Sequence, residues 1–324
     1  MDSLSAQLYK DLRACELRWC LFVAAASSFR RDSLLRPFPP GRSDSSEQSK
    51  DPYGPHKDFE SVLADIHNLP SFPELLKTPS MTSLSALDLA EWVLTNGQFS
   101  LTTLRKEEFA HIETLTGEPG FAVSPPDFVF GVTYSPTVER RFTEARGDRT
   151  ILRAYHGSRL ENFHSILHNG LHCHMSKPGL FGEGVYLSSD LSLALLYSPR
   201  CTAWARCSLG TFLSCVAVCE IIDHPDVKCQ VKGQDSARAR VPNSEGREVP
   251  QRYYVVTNNQ LLRVRYLLIY SQGLPQRASK RRSWILRHPF ATALALYMGA
   301  LLLLAAFNSP SVLLYLRHLF GGHI

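Results

Sequence analysis

The sequence predicts an α+β protein with a helical N-terminal region, a mostly antiparallel β-sheet and one transmembrane helix near the C-terminus. Apolar residues repeat at helical spacing through residues 1–117, and β-branched and aromatic runs dominate residues 127–273. An apolar run without charges occupies residues 289–307. With 44% hydrophobic and 20% charged residues, the 324-residue chain has the composition of a globular protein.

Four helical patterns in residues 1–117 predict a small all-α domain. The first pattern consists of Leu8, Leu12, Cys15, Trp19 and Phe22, and the second runs from Phe59 to Ile66. The third covers residues 87–94, with a capping box formed by Ser85 and Asp88 and with Gly97 after its end. The fourth is predicted over residues 102–115, ending at Gly117. Residues 118–126, rich in proline and glycine, are expected to be a linker.

Strands are predicted over residues 127–134, 150–156, 212–222, 253–257 and 261–270. Few helical patterns interrupt them, which favours an antiparallel sheet over a doubly wound nucleotide-binding fold. The turn that contains Gly182 and Gly184 leads into a strand instead of a helix. This excludes the dinucleotide fingerprint of the Rossmann fold, in which a helix follows the glycines.

Three short motifs carry the candidate chemistry. They are Ala154-Tyr155-His156-Gly157-Ser158, the run from Phe181 to Ser188, and the run from Tyr253 to Gln260. Each motif alone is weak evidence for a functional site. His156 taken alone is equally well explained as a core histidine whose ring nitrogens are hydrogen-bonded. In this order and spacing, over residues 150–271, they resemble the catalytic domain of the poly(ADP-ribose) polymerase family of ADP-ribosyltransferases. That family has a histidine, a tyrosine and a variable third residue on successive strands.

The resemblance implies an enzyme that uses NAD as co-substrate, needs no metal, and carries His156, Tyr186 and Tyr253 as its catalytic residues. His156 would bind the ribose on the adenosine side, and Tyr186 would lie beside the nicotinamide ribose. Gly157 would bind the nicotinamide carboxamide through its backbone, Tyr197 would stack on the nicotinamide ring, and Ser158 is placed with them in the donor site. Residues 174–183 would form a loop over the donor. A serine that binds the carboxamide in many relatives aligns with Ala194, with Ser192 nearby.

The third position decides the product in this family, whose chain-building members have a glutamate there. Here Tyr253 aligns with it, and a shift of one residue would place Arg252 or Tyr254 there instead. None of the three is a carboxylate, so the resemblance implies transfer of a single ADP-ribose to protein side chains. The reaction would be displacement at the anomeric carbon of the nicotinamide ribose, through an oxocarbenium-like transition state.

The apolar run 289–307 spans roughly 29 Å as a helix, about the thickness of the bilayer interior. Basic residues crowd the juxtamembrane segment 274–288, which predicts a tail anchor with a cytosolic catalytic domain and a lumenal tail at 308–324. The expected home is the endoplasmic reticulum and nuclear envelope, with the mitochondrial outer membrane as the alternative. The apolar run 19–26 follows acidic residues and is not a signal peptide.

The expected partners are acceptor proteins near that membrane, the chain itself and the lipid bilayer, with no nucleic acid. The eight cysteines form no CxxC pair and indicate reduced thiols. We interpret His164 and His168 as a half-exposed helix face, and His172-Cys173-His174 as an edge segment without metal. The segment 228–250 is either a selector of acceptors or solvated surface. An NAD-binding membrane adaptor without turnover is the main rival function, and a phosphate-transferring relative that acts on RNA is a weaker one.

Overall fold

The structure is a computed structural model that describes residues 2–43, 57–78, 82–117, 123–173, 179–230, 238–241 and 248–272, together with residue 298. The chain divides into two compact units, Met1–Pro275 and Gln276–Ile324. Apart from residue 298, the predicted transmembrane helix, the juxtamembrane segment and the C-terminal tail lie outside the described residues. Within the described part of the chain, no helix has the length and apolar character needed to cross a membrane.

The N-terminal region is built from helices, as three of the four patterns predict. They are α1 (Asp2–Lys10), α2 (Leu12–Ala26), α3 (Arg31–Leu34), α4 (Phe59–Asn68), α5 (Phe72–Leu75) and α6 (Leu84–Thr95). Asp11 separates α1 from α2, where its carboxylate accepts a hydrogen bond from the N–H of Ala14 (3.0 Å) and so caps α2. Helix α2 is the central helix of this region, because it is buried on nearly all sides.

The predicted capping box of α6 is wrong. Ser83, not Ser85, is the N-cap residue, and the helix begins at Leu84. The hydroxyl of Ser85 instead donates to the carboxylate of Asp65 in α4 (2.9 Å). A tertiary hydrogen bond has thus replaced the local one that the sequence spacing suggested.

The remaining elements form one antiparallel sheet with helices around it. The strands are β1 (Phe99–Leu104), β2 (Phe128–Tyr134), β3 (Ile151–Gly157), β4 (Val185–Ser188), β5 (Cys201–Thr202), β6 (Phe212–Ile222), β7 (Tyr253–Val256) and β8 (Leu262–Gln272). Their order is β1-β2-β8-β6-β3-β4-β7, and β5 also pairs with β6. The helices between them are α7 (Glu108–Thr116), α8 (Pro136–Arg146), α9 (Phe163–Asn169) and α10 (Leu191–Leu196). The predicted α+β class with an antiparallel sheet is confirmed.

The fourth predicted helix is wrong in its first half, and residues 1–117 are therefore not all-helical. Residues Phe99–Leu104 form strand β1, which pairs along its whole length with β2, while helix α7 begins only at Glu108. The segment FSLTTL contains β-branched threonines, and its partner strand supplies the hydrogen bonds that a helix would have made internally. The helical region thus runs directly into the sheet, because β1 pairs with β2.

Both regions share a hydrophobic core. Trp19 of α2 is fully buried and lies edge-on to Trp204, which follows β5, at 5.9 Å between ring centroids. Phe72 of α5 packs against the same two rings, at 6.2 Å and 5.4 Å. The buried carboxylate of Glu16 accepts hydrogen bonds from the hydroxyl and the N–H of Ser208. The helical region is therefore packed onto the sheet.

Candidate active site

His156 lies near the end of strand β3, where it lines two cavities. It pairs with Ala217 on β6, and its ring Nδ1 lies 2.9 Å from the backbone oxygen of Tyr186 on β4. Because a carbonyl oxygen only accepts, Nδ1 carries the proton and Nε2 is left as an acceptor. Burial lowers the pKa of His156, an effect partly opposed by this hydrogen bond, so the ring is neutral at pH 7.

The larger cavity is an open cleft of about 600 Å³, lined mainly by apolar groups. Described residues that line it come from the ends of β3, β4 and β7, from α10 and from the loop before β4, and they include His156, Gly157, Tyr186, Ala194, Tyr197 and Tyr253. The smaller cavity, of about 110 Å³, also contains His156 and is lined by Ser158 and Asn162 among others. Five of the six predicted site residues thus meet in one cleft, and Ser158 lies in the adjoining cavity.

Gly157 is needed for the packing of α10 against β3. A Cβ atom at this position would overlap the carbonyl oxygen of Ala194 and would lie 3.0 Å from the Cβ of Tyr197. The close approach of α10 to β3 is therefore possible only at a glycine. The neighbouring Ser158 is held by two contacts, because its hydroxyl accepts from the side chain of Asn162 (2.8 Å) and its N–H donates to Ser198 Oγ (3.2 Å).

The hydroxyl of Tyr186 fastens the loop that precedes β4. It donates to the carbonyl of Gly182 (2.7 Å) and accepts from the N–H of Phe181 (3.0 Å). A Cβ on Gly179 would lie 2.6 Å from Tyr186 Cζ, so this turn also needs a glycine. Burial raises the pKa of Tyr186, which keeps the phenol protonated. Of the loop predicted over 174–183, residues 174–178 lie outside the described residues.

Tyr197 ends α10 with 65% of its surface exposed, so its ring stands at the open side of the cleft. The alignment position expected for a serine is Ala194, which lines the cleft. Ser192 is used elsewhere, since its N–H (2.9 Å) and hydroxyl (2.7 Å) both donate to the carboxylate of Asp190. Apolar groups therefore dominate this wall, which suits the flat face of an aromatic ring.

Tyr253 is the one of the three residues considered for the third position that lines the cleft. It pairs with Ser188 across β4 and β7, whereas Tyr254 alternates to the opposite face and packs on the main core. Arg252 has a positive φ of 75° and its guanidinium lies 3.9 Å from the carboxylate of Asp190. Among the described residues that line the cleft, none is a carboxylate.

Phe181 forms an aromatic wall of the cleft that was not predicted from the sequence. Its ring lies 6.3 Å from that of Tyr253 and 6.4 Å from that of Tyr186. Val249 packs in the same small cluster, and Pro250 lines the cleft, which brings the end of segment 228–250 to the site. The sequence does contain a signal for this packing in the run Phe181-Gly182-Glu183-Gly184. An apolar residue before a glycine turn often packs back on the following strand.

His164 and His168 do not form a half-exposed helix face. His164 is 4% exposed, packs edge-on against Phe22 of α2 at 5.4 Å, and lies 3.2 Å from the carbonyl of Pro37. His168 packs against Phe99 at 5.0 Å. Helix α2 and strand β1 cover this face of α9. The sequence of α9 alone does not show that other elements cover it. His172 has both ring nitrogens engaged, with Asn169 O (2.6 Å) and with the side chain of Asn259 (2.7 Å).

Two family models match this chain. The family model described as poly(ADP-ribose) polymerase catalytic domain matches residues 106–272, and the one described as ARTD15 N-terminal domain matches residues 6–94. The chain belongs to the poly(ADP-ribose) polymerase family. The predicted NAD-dependent ADP-ribosyltransferase is thereby confirmed at the level of the family.

Among relatives, the chain is similar to protein mono-ADP-ribosyltransferase PARP16 of Mus musculus. The two are 50% identical over 307 residues, which cover 93% of this chain and 92% of the relative. The Homo sapiens protein of the same name is 49% identical over the same shares. Protein mono-ADP-ribosyltransferase PARP8 of Mus musculus is 23% identical over 70% of this chain and 30% of its own length. Similarity to the first two relatives thus extends through the helical region as well as the family's catalytic domain.

Proposed function

We propose that this member of the poly(ADP-ribose) polymerase family transfers single ADP-ribose units from NAD to protein side chains. The observation that carries the proposal is the position of His156, whose neutral ring lines both cavities and has one acceptor nitrogen. The nicotinamide end of NAD would occupy the larger cleft and the adenosine end would extend toward the smaller cavity. His156 Nε2 would accept from a ribose hydroxyl between them.

In the larger cleft, the side chains suit the nicotinamide half of the donor. Tyr197 supplies a face for the nicotinamide ring, and the backbone of Gly157 supplies polar groups for its carboxamide. Tyr186, whose hydroxyl is hydrogen-bonded to the loop before β4, would lie beside the nicotinamide ribose. The site would then accelerate the reaction mainly by holding NAD in the geometry that the displacement needs.

The reaction breaks the bond between the ribose anomeric carbon and the nicotinamide nitrogen, and nicotinamide leaves as a neutral molecule with the electron pair. The acceptor's nucleophilic atom forms the new bond at the same carbon and releases its proton to solvent. Because the nicotinamide of NAD is already positively charged, its departure needs no acid. The transition state resembles an oxocarbenium ion, as in other glycosidic displacements.

Transfer stops after one unit in this proposal, because Tyr253 occupies the position where chain-building relatives have a glutamate. No carboxylate lines the described part of the cleft to activate a ribose hydroxyl as the next acceptor. The relatives named mono-ADP-ribosyltransferases support the same product.

The proposal is tested by incubating the full-length chain with NAD labelled in its adenosine half. We expect nicotinamide release and one ADP-ribose per modified residue, on the chain itself and on membrane proteins. His156→Ala should reduce nicotinamide release at least about a hundredfold, the usual scale for a lost catalytic contact. His111→Ala, an exposed residue of α7, is the matched control. Nicotinamide release at background by the unmodified chain, with NAD still bound, would support the adaptor instead.

We further propose that residues 289–307 anchor the chain in the endoplasmic reticulum membrane and nuclear envelope, with the catalytic region in the cytosol. The uncharged length of the run and the basic residues before it support this orientation. Acceptor proteins at or near that membrane, including the chain itself, would be the substrates.

The anchor is tested by alkaline extraction of membranes and by a glycosylation acceptor site added after residue 324. Retention in the membrane pellet and glycosylation of the added site support a lumenal tail in the endoplasmic reticulum. Retention without glycosylation, with mitochondrial markers, would favour the outer membrane of that organelle. Full release of the chain by alkaline carbonate would rule out the anchor.

A further inference from the structure

The His156 motif and the last described residue of the catalytic region lie at the same end of the sheet. Strand β3 ends at Gly157, which pairs with Val216 on β6, and β8 ends at Gln272, which pairs with Phe212 at the start of β6. We call this end of the sheet the exit end. The opposite end of β8 is about 33 Å away, because the strand has eleven residues and rises about 3.3 Å per residue.

The sequence continues from the exit end toward the proposed membrane anchor. Sixteen residues, 273–288, separate Gln272 from the apolar run 289–307, and they include five basic residues and no acidic one. Even a fully extended chain of this length spans at most about 60 Å. The exit end is therefore the end of the sheet with the shortest chain connection to the bilayer.

Large apolar side chains are exposed at the exit end. Leu196, the last residue of α10, is 77% exposed, and Phe212 is 41% exposed. Neither lines the larger cleft. Their backbones are held together, because the hydroxyl of Ser214 on β6 donates to the carbonyl of Ser198 and β5 pairs with the start of β6. With the exposed Tyr197, they place three large apolar side chains on connected segments beside the mouth of the cleft.

The charge on these segments is basic. Residues 191–219 include two arginines and no acidic residue. Arg206 donates to two backbone carbonyls of the helical region (2.8 and 3.0 Å), whereas the exposed Arg200 forms no ion pair or hydrogen bond with the residues that the structure describes. Asp127 also lies at this end, but its carboxylate accepts from the N–H of Ser271 (2.7 Å). Exposed apolar side chains beside a free arginine suit the headgroup boundary of an anionic leaflet.

We propose that the exit end contacts the cytosolic leaflet of the bilayer, with Leu196 and Phe212 in the headgroup boundary and Arg200 on anionic lipid phosphates. The inference rests on the proposed anchor at 289–307. That anchor favours lipid over a soluble protein as the partner, because it keeps this end close to a bilayer at all times. The mouth of the cleft, marked by Tyr197, then opens at the membrane surface. Its acceptors would be side chains in the membrane-proximal parts of proteins.

The test uses the full-length chain reconstituted into vesicles of phosphatidylcholine and phosphatidylserine, with or without bromine on the acyl chains. Bromine quenches tryptophan only at short range, and the native tryptophans are common to all the chains compared. Leu196→Trp should add emission that falls by at least about half in brominated vesicles, because the ring would lie roughly 5–10 Å into the headgroup boundary. Leu84→Trp, at a residue of the helical region that is 75% exposed, should add emission that bromine does not quench.

A second substitution tests the arginine in the chain that carries Leu196→Trp. Arg200→Gln should lower the ratio of bilayer-contacting to free chains about fivefold, the factor that one arginine near an anionic surface contributes. The same substitution should have little effect in vesicles of phosphatidylcholine alone. Arg140→Gln is the matched change, because Arg140 is exposed on α8, which follows the opposite end of β2. It should leave the quenching unchanged in both kinds of vesicle.

Equal quenching at positions 196 and 84 would overturn the inference, and equal effects of Arg200→Gln and Arg140→Gln would overturn the assignment of Arg200. Alkaline extraction of the same vesicles separates these results from the anchor. Release of the unmodified chain would overturn the anchor and this inference together, whereas retention without quenching at position 196 would overturn this inference alone. Because no step of the test requires nicotinamide release, failure of the transferase proposal would be detected separately.

Discussion

At the scale of single residues, Gly157 combines the ligand role that the resemblance implies with a packing role that the structure shows. Its backbone lies in the cleft, as the family resemblance implies, and its missing side chain allows α10 to approach β3. The second role does not depend on a ligand. It follows from the overlap that any Cβ atom would make with the carbonyl oxygen of Ala194.

Gly157→Ala should therefore destabilise the free protein as well as impair NAD turnover. Relief of the overlap requires α10 to move, which overpacked sites resist at about 1–3 kcal/mol of unfolding free energy. The measurement is denaturant unfolding without ligand, followed by nicotinamide release. Gly131→Ala on β2 is the control, since a Cβ there would lie 3.5 Å from Leu104 Cδ1, an ordinary contact, and should change stability by less than about 0.5 kcal/mol. Equal unfolding free energies for Gly157→Ala and the unmodified chain would refute this account.

Single site residues were predictable from the sequence only where they belong to a local motif. His156, Tyr186 and Tyr253 stand on strand motifs that the resemblance aligns, and the structure brings all three to one cleft. Arg30, which lines the smaller cavity, carries no local signal, because its place depends on how the segment that follows α3 docks on α9. That docking is a tertiary contact between segments more than 120 residues apart, such as the hydrogen bond from Asn169 to the carbonyl of Arg36.

At the scale of secondary structure elements, strand β1 shows why the fourth helix was predicted too early. The run from 99 to 116 changes from strand to helix without a proline or glycine to mark the junction. What holds β1 in place comes from elsewhere in the chain. Asp11 accepts from both the N–H (2.6 Å) and the hydroxyl (2.7 Å) of Thr103, while its carboxylate also caps α2.

Asp11→Ala should cost more stability than the loss of a helix cap alone. The cap is worth about 1 kcal/mol, and the two hydrogen bonds to Thr103 add about 1–3 kcal/mol. Asp58→Ala provides the comparison, because Asp58 caps α4 through Ser61 N–H (2.9 Å) on the surface. Unfolding free energies from denaturant titration should place Asp11→Ala at least about 1 kcal/mol below Asp58→Ala. Equal losses in the two variants would show that Asp11 does not hold β1.

Helix α9 makes the fold sensitive to acid. The pKa of His164 is lowered to about 4, mainly by burial and also by the nearby charge of Arg18. The hydrogen bond from His164 to the carbonyl of Pro37 acts in the opposite direction. Burial and the neighbouring His164 lower the pKa of His168 to about 3. Both rings are neutral in the folded state, and the unfolded chain binds more protons below about pH 6.5. Their contribution to stability is complete above pH 6.5 and is lost as the pH falls toward 3.

Unfolding free energy should accordingly decrease by up to about 1.4 kcal/mol per pH unit for each of these histidines between pH 6 and pH 4. His164→Gln keeps a donor for the carbonyl of Pro37 and should make this slope shallower. The exposed His111→Gln should leave the slope unchanged. Denaturant titrations at pH 7.5, 6, 5 and 4 measure how the unfolding free energy depends on pH. A slope in His164→Gln as steep as in the unmodified chain would contradict the assignment.

At the scale of the whole molecule, the helical region and the sheet share one core. The sequence predicted a separate all-α domain because the two regions differ in periodicity. Periodicity reports which face of an element is apolar, but not which partner covers it. Here Trp19 and Phe72 of the helical region meet Trp204 of the catalytic region, and β1 joins the sheet directly.

A shared core predicts that both regions unfold together. Trp19→Ala removes a fully buried ring at their contact and should cost about 3–5 kcal/mol. Hydrogen exchange at increasing denaturant should show α2 and the central strand β6 losing protection at the same concentration, in the variant as in the unmodified chain. Trp92→Ala, which removes a half-buried ring that contacts Phe22 within the helical region, should cost less and keep the single transition. If β6 kept its protection after α2 had lost it, the helical region would be a separate domain, and the shared core would not hold the two regions together.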